Sequence, residues 1–249
     1  MNTKMMGRVS KQSPIPLYYQ LKEILQAMID NEEFKPGDAF PPERELCEIH
    51  GISRMTARKA VMALVNEGVL YREQGKGTYV AKPKPKHLLT KLRGFTDEME
   101  EKGLTVDTSI LSFETVEATL NLRKNLKMKE HQDRAVEIKR LRMVDGAPFA
   151  LETVWLNQAM VPGLSREWLE GGSLYTVLKQ QYRYQPSYAR QTIEPIQLNE
   201  FESGLLGLEP DSLALLFRRT TFLENEEIME YTKCIYRSDQ YKYEVILQP

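Results

Sequence analysis

Near the start of the chain, apolar residues recur at spacings of three and four in successive segments. Leu17, Leu21, Ile24, Leu25 and Met28 make one helical stripe, which Ser13-Pro14-Ile15-Pro16 cannot extend backwards and Lys35-Pro36-Gly37-Asp38 cuts off. Pro16 suits the first turn of that helix. A second, short helix is predicted over 43–50, with Leu46 and Ile49 facing inward, Glu43 and Glu45 near its positive end, and Gly51 stopping it. Ser53 is a suitable N-cap for a third, over 53–67, whose buried stripe is Ala57, Val61, Leu64 and Val65. The period then falls to two: 69–72 and 78–81 read as strands around Glu73-Gln74-Gly75-Lys76-Gly77, a tight hairpin tip.

Beyond residue 90 the pattern changes. Strands are predicted at 109–117, 134–144, 149–156, 189–195, 213–223 and 228–236, and helices at 96–102, 120–126, 173–180 and 199–206. Strand-rich order without regular βαβ alternation implies an α+β fold with a largely antiparallel sheet. Between the two parts, Lys82-Pro83-Lys84-Pro85-Lys86 reads as a semi-rigid spacer. The expected division is a flexible basic arm over 1–12, a small domain over 13–82, a linker over 83–90 and a larger domain over 91–249.

Composition narrows the class. A chain of 249 residues, 41% hydrophobic and 28% charged, fits a soluble globular protein of two ordinary domains. No apolar run approaches the ~20 residues needed to cross a bilayer, and the N-terminus lacks the apolar core of a secretory signal. Cys47 and Cys234 form no disulfide framework, so a reducing, cytoplasmic setting is expected. The net charge of −1 conceals an asymmetry: residues 1–86 carry 14 Lys+Arg against 10 Asp+Glu, and the rest 20 against 25. A polyanionic partner for the front segment is one reading, and scatter of surface charge is the other.

Two sets of residues carry candidate chemistry. In the front part, Arg54, Thr56, Arg58 and Lys59 sit in the opening turns of the third predicted helix, off its buried stripe. Helix, sharp turn and polar, basic helix start make a helix-turn-helix, in which Arg reaches guanine edges or phosphates from the major groove. The hairpin after it is then a wing. The three histidines, His50, His87 and His131, are scattered along the chain and lack metal-ligand spacing, and neither a Gly-x-Ser-x-Gly elbow nor a Walker loop occurs in the second part, so no metal, cofactor or catalytic group is expected. Arg140 and Arg142 share a face of one strand, and Glu152 lies on the next. Ser173, after Gly171-Gly172, can cap a helix, and Phe95-Thr96-Asp97 opens another; helix N-termini with paired arginines suit an anion. By themselves the two arginines are also compatible with plain inter-strand ion pairs.

Pro41-Pro42-Glu43-Arg44-Glu45-Leu46, Gly51-Ile52-Ser53-Arg54-Met55-Thr56-Ala57-Arg58-Lys59-Ala60, Leu64-Val65-Asn66-Glu67-Gly68 and Gly75-Lys76-Gly77-Thr78-Tyr79-Val80 together resemble the GntR family of bacterial regulators over residues 14–82. The resemblance implies DNA contacts by Arg44, Ser53, Arg54, Thr56, Arg58, Lys59, Gly75, Lys76 and Gly77. It departs from the family at Pro42, where a serine cap is usual, and at Ala57, where valine is usual. Leu92 to Met99, Lys139 to Arg142, Pro148 to Glu152, Gly172 to Tyr175 and Tyr236 to Tyr241 are similar to the sensing (UTRA) domain of the HutC-type branch, a chorismate-lyase-like fold turned sensor. That similarity implies an effector site of Phe95, Thr96, Arg140, Arg142, Glu152, Ser173, Tyr175 and Tyr236, with Arg190 and Glu230 as second-rank members that an ion pair would equally explain. It further implies a homodimeric repressor on a near-palindromic double-stranded operator, released by a small anionic effector. Within the branch the likeness is greatest to repressors of N-acetylglucosamine utilisation genes, implying an amino-sugar 6-phosphate; nearby groups sense trehalose 6-phosphate, fructosamine phosphates, histidine-pathway compounds or fatty acids. Two rivals stand beside it: a retained lyase-like activity on a small carboxylate, and a constitutive DNA-binding protein whose large domain only dimerises.

Overall fold

A computed structural model of the chain describes residues 7–82, 86–88, 92–170 and 172–245, with only the backbone for 86–88 and 243. The chain divides into two compact units, Met1–Pro85 and Lys86–Pro249.

In the first unit, α1 (Leu17–Asp30), α2 (Glu43–His50) and α3 (Arg54–Asn66) precede a hairpin of β1 (Leu70–Glu73) and β2 (Gly77–Val80). Pro16 is the N-cap of α1, with ψ at 136°, rather than a first-turn residue. That helix has no capping side chain or acidic first turn, so its stability comes from burying Leu21, Leu25 and Met28. Gly51 ends α2 in the left-handed conformation at φ 64°, where only glycine is free of a Cβ clash. The Ser53 side chain caps α3 by accepting from the Thr56 N–H at 3.1 Å. Leu21, Leu25, Leu46, Ala57, Ala60, Leu64 and Leu70 close the core between helices and hairpin. The architecture is a winged helix-turn-helix.

The proposed N-terminal arm needs correction where it is described. Gln20 grips it through its amide, accepting from the Ser10 N–H at 2.8 Å and donating to the Ser10 carbonyl at 3.0 Å, and Val9 packs on the core. A lone valine followed by a glutamine in the next helix leaves no periodic trace in the sequence. Residues 1–6 lie outside the described residues.

The second unit is built on one antiparallel six-stranded sheet with the order β4-β5-β6-β9-β8-β7. The strands are β4 (Val106–Glu117), β5 (Arg134–Val144), β6 (Ala147–Asn157), β7 (Pro186–Gln197), β8 (Leu213–Leu223) and β9 (Ile228–Arg237). Among the described residues α4 (Phe95–Glu101) leads into β4, and α5 (Leu120–Asn125), α6 (Leu174–Tyr182) and α7 (Glu200–Leu206) lie in the connections between strands. A separate parallel pair links β3 (Lys86–Leu88) to β10 (Lys242–Glu244). Part of the segment expected to be linker therefore adds a strand, because its backbone finds a partner near the other end of the chain. Residues 83–85, which hold both prolines of the spacer, and 89–91 lie outside the described residues.

One face of the sheet carries the site. Val136, Ile138, Val154, Leu156 and Met229 pack there under Leu174, Val177 and Leu178 of α6, while Val144, Phe149, Ala150, Phe217 and Tyr236 pack under Met99 of α4. A band of polar residues crosses the same face between these two apolar clusters.

Candidate functional site

Period-two alternation places Arg140 and Arg142 of β5, Glu152 of β6, Arg219 of β8, and Glu230, Thr232 and Cys234 of β9 around one cleft. Phe95 and Thr96 of α4, and Ser173, Leu174 and Tyr175 at the start of α6, line it from the helix side. The two helices come close here: a Cβ added at Gly94 would lie 3.4 Å from the Tyr175 ring. Ser173 takes the N-cap position of α6 but makes no side-chain cap bond, contrary to the expected capping role; its hydroxyl is left to the cleft.

Arg142 is 2% and Arg140 4% exposed, values rare for charged side chains without a counter-charge. Arg142 donates to the Thr96 hydroxyl at 2.8 Å, and its guanidinium lies 4.5 Å from the centre of the Phe95 ring. Its Nε and Nη1, and the Nε of Arg140, are buried without a hydrogen-bond partner. Arg140 Nη2 lies 2.6 Å from Glu152 Oε2, an ion pair between two almost fully buried side chains. Burial alone would raise the Glu152 carboxyl, but the Arg140 and Arg142 charges outweigh it and hold the group below its ordinary value. Burial presses the Arg142 guanidinium downward, partly offset by Glu152.

At the other end of the cleft, Tyr175 donates to Glu230 Oε1 at 2.5 Å and the Thr221 hydroxyl to the same oxygen at 3.1 Å. Burial raises the Glu230 carboxyl above its ordinary value despite these donors. Arg219 donates through Nε to Gln191 at 2.7 Å and through Nη1 to the Arg93 carbonyl at 3.3 Å. The guanidiniums of Arg140, Arg142 and Arg219 thus face Glu152, ionised, and Glu230, biased toward the neutral acid. The interior charge is positive, and three guanidinium nitrogens of residues that line the cleft have no hydrogen-bond partner.

Nine sequence-predicted residues meet in this cleft: Phe95, Thr96, Arg140, Arg142, Glu152, Ser173, Tyr175, Glu230 and Tyr236. Arg190 does not. It pairs in register with Thr220 on the opposite face, exposed, its guanidinium 5.8 Å from the Phe222 ring, while its neighbour Gln191 turns inward opposite Arg219. One residue's shift along a strand reverses the face. Arg93, Gln191, Arg219 and Thr232 were missed. Alternation along β8 could have found Arg219, which shares a face with Phe217, but Arg218 beside it is an equal candidate until the register is known.

On the first unit the candidate residues lie on α2, on the opening turns of α3 and its cap, and at the wing tip, all exposed except the half-buried Thr56. Arg44 is 89% exposed and pairs with Glu48 at 3.1 Å; Arg54, 84% exposed, lies 3.8 Å from Glu43. Glu43 also accepts from Arg72 of β1 at 2.8 Å, tying α2, α3 and the hairpin together. Ser53 and Thr56 share a hydroxyl hydrogen bond of 2.8 Å. Arg58 and Lys59 are exposed, with the Lys59 ammonium 4.0 Å from the centre of the Tyr18 ring. At the wing tip Gly75 and Gly77 adopt φ of 75° and 138°, and Lys76 pairs with Glu73 at 3.2 Å. Pro42, at the N-cap of α2, leaves that helix without a side-chain cap.

A basic reading helix with a wing, followed by a domain with a buried cationic cleft, defines a ligand-responsive DNA-binding regulator. The profile described as "Bacterial regulatory proteins, gntR family" matches residues 17–80, and the UTRA domain profile matches residues 101–242. The chain belongs to the GntR family, of the type that carries a UTRA domain, and is a transcriptional repressor of the GntR/HutC type rather than an enzyme. It is 36% identical to the HTH-type transcriptional repressor NagR of Bacillus subtilis (strain 168), over 94% of this chain and 96% of that one. It is 30% identical to the mannosyl-D-glycerate transport/metabolism system repressor MngR of Escherichia coli (strain K12), over 94% and 96% of the two chains. Among solved structures, PhnF from Mycobacterium smegmatis superposes with a TM-score of 0.64 at 25% identity, covering 91% of this chain and 98% of that one. Among the described residues no helix is long and apolar enough to cross a membrane.

Proposed function

We propose that the protein is a homodimeric, cytoplasmic repressor of a catabolic operon whose operator it leaves when a sugar phosphate, such as an amino-sugar 6-phosphate, enters the cleft of the second unit. The observation that carries this reading is the pair Arg140 and Arg142, almost fully buried with N–H donors that no protein group meets. A phosphate supplies acceptors in the numbers these donors need, and its charge offsets the excess of guanidinium. Ser173 and the first-turn N–H groups of α6 would add donors, and Glu152, Glu230 and Tyr236, which line the same cleft, are the candidates to address hydroxyl or amine groups of the sugar. The name of MngR, a repressor of a mannosyl-D-glycerate system, favours a sugar derivative over a fatty acid or a histidine-pathway compound.

The cleft is tight. About 40 Å³ is open to water, room for roughly two or three molecules, so a sugar phosphate has to push side chains aside. Binding therefore couples to rearrangement around α4 and α6, and only a difference in affinity between the two arrangements can shift the DNA-binding equilibrium. On DNA, two copies of α3 would read half-sites related by the dimer's two-fold axis.

Titration of a fluorescent promoter duplex complex with glucosamine 6-phosphate, N-acetylglucosamine 6-phosphate, the unphosphorylated sugars and inorganic phosphate tests this. Phosphorylated sugars are expected to release the DNA and unphosphorylated ones to leave it bound. DNA affinity indifferent to every phosphorylated sugar would remove the effector reading, and a monomeric sedimentation coefficient for the free and DNA-bound chain would remove the dimer.

A further inference from the structure

Met55 stands out on the reading surface. It is the second residue of α3 and is 72% exposed, far beyond what its apolar side chain favours, and it takes no part in the core of its unit. It is flanked by Arg54 and Thr56, and one turn on by Arg58 and Lys59. Two of these polar neighbours are engaged within the protein: Thr56 is tied to the Ser53 cap, and Lys59 lies over the Tyr18 ring. Met55 shares the wall of one open depression with Leu17, Tyr18 and Met62, so an exposed apolar strip lies at the start of the reading helix.

We propose that Met55 is a specificity-determining residue that packs on the C5 methyl group of a thymine in the operator. This rests on the DNA-binding reading of the first unit. In the major groove the base edges offer hydrogen-bonding atoms and, as their apolar group, the thymine methyl. An unbranched thioether with several rotatable bonds adapts to that small target without demanding one angle. The cationic rim of Arg54 and Arg58 places the contact beside positions where arginine addresses guanine or phosphate.

The test uses the full-length chain and a duplex that it selects itself from a random-sequence pool. Each thymine of the selected site is replaced in turn by deoxyuridine, which removes the methyl and nothing else. Wild-type binding is expected to weaken about fourfold at one thymine per half-site, from ~0.8 kcal/mol per buried methylene-sized group. Met55→Ala is expected to lose that difference, Met55→Leu to keep most of it, and Met55→Gln, of similar length, to lose it. A wild-type affinity unchanged at every deoxyuridine overturns the proposal, as does a methyl effect of full size in Met55→Ala. Failure to select any duplex is a different result, because it removes the DNA-binding reading itself.

Discussion

Arginine does opposite work in the two units. On the helix-turn-helix, Arg44 and Arg54 are 84–89% exposed and rest against glutamates that are themselves at the surface or partly so. Such pairs are worth little in water, so a DNA phosphate can replace the glutamate at small cost. In the cleft, Arg140 and Arg142 have already lost their water, and their spare donors stay unmet. An anion reaching them repairs an existing deficit. On the proposed function, the surface arginines would make many weak, screened contacts that sum to affinity, and the buried ones few contacts that switch.

The sharpest way to break that comparison is at Arg142. Arg142→Met keeps the volume and removes the charge, so the fold has a route to survive while the cleft loses its deepest cation. Effector affinity by titration calorimetry is expected to fall more than 100-fold, in line with the ~3–5 kcal/mol for breaking a buried charge interaction, with operator affinity in the absence of effector unchanged within about twofold. Equal loss in both assays would mean that Arg142 supports the fold rather than the ligand.

Next in size is the reading helix. Arg54→Ala is expected to weaken operator binding by ~1–3 kcal/mol if Arg54 reads a base. A loss of the same size on random duplex would reassign it to phosphate. Arg44→Ala should act on every sequence alike and lower the slope of log K against log salt by about one. Salt separates the units again: DNA binding should fall by orders of magnitude between 50 and 200 mM, while effector binding, screened from the solvent by burial, should change little. Parallel salt curves for both ligands would erase the distinction between exposed and dehydrated arginines.

The sequence made these elements legible to different degrees, for physical reasons. The three helices of the first unit follow from apolar spacing and from Ser53 and Gly51, local signals that need no distant partner. The strand pattern of the second unit was equally local, and β5 and β8 lie where alternation predicts them. What stayed hidden depends on long-range pairing. The strand at Lys86–Leu88 exists only through β10, more than 150 residues on. Arg190 and Gln191 look equivalent until register with β8 assigns one to each face. The burial of Arg140 and Arg142, which separates a ligand site from a surface ion pair, is a property of the helices laid over them and not of β5.

Acid separates the units by the smallest effect. His50 in α2 is 6% exposed, with both ring nitrogens buried and unpartnered, and burial, then the nearby Arg8 charge, lowers it from its ordinary value of 6.5. The folded state therefore binds fewer protons than the unfolded one, and its stability is held above pH 6.5 and lost as pH falls below it. The slope is at most about 1.4 kcal/mol per pH unit for one proton. Glu152 is also held low, but from 4.5, so its contribution is retained until the pH drops below that value. Glu230, raised, works the other way: its contribution is full below 4.5 and is lost as pH rises through its folded value. Between pH 6.5 and 5 the first unit should weaken before the second. Amide exchange of α2 and α3 is expected to quicken over that range while β5 and β6 stay protected, and His50→Leu should flatten the response. Exchange in α2 that does not change with pH, after correction for the intrinsic rate, would show that the imidazole takes up its proton without opening the helix-turn-helix.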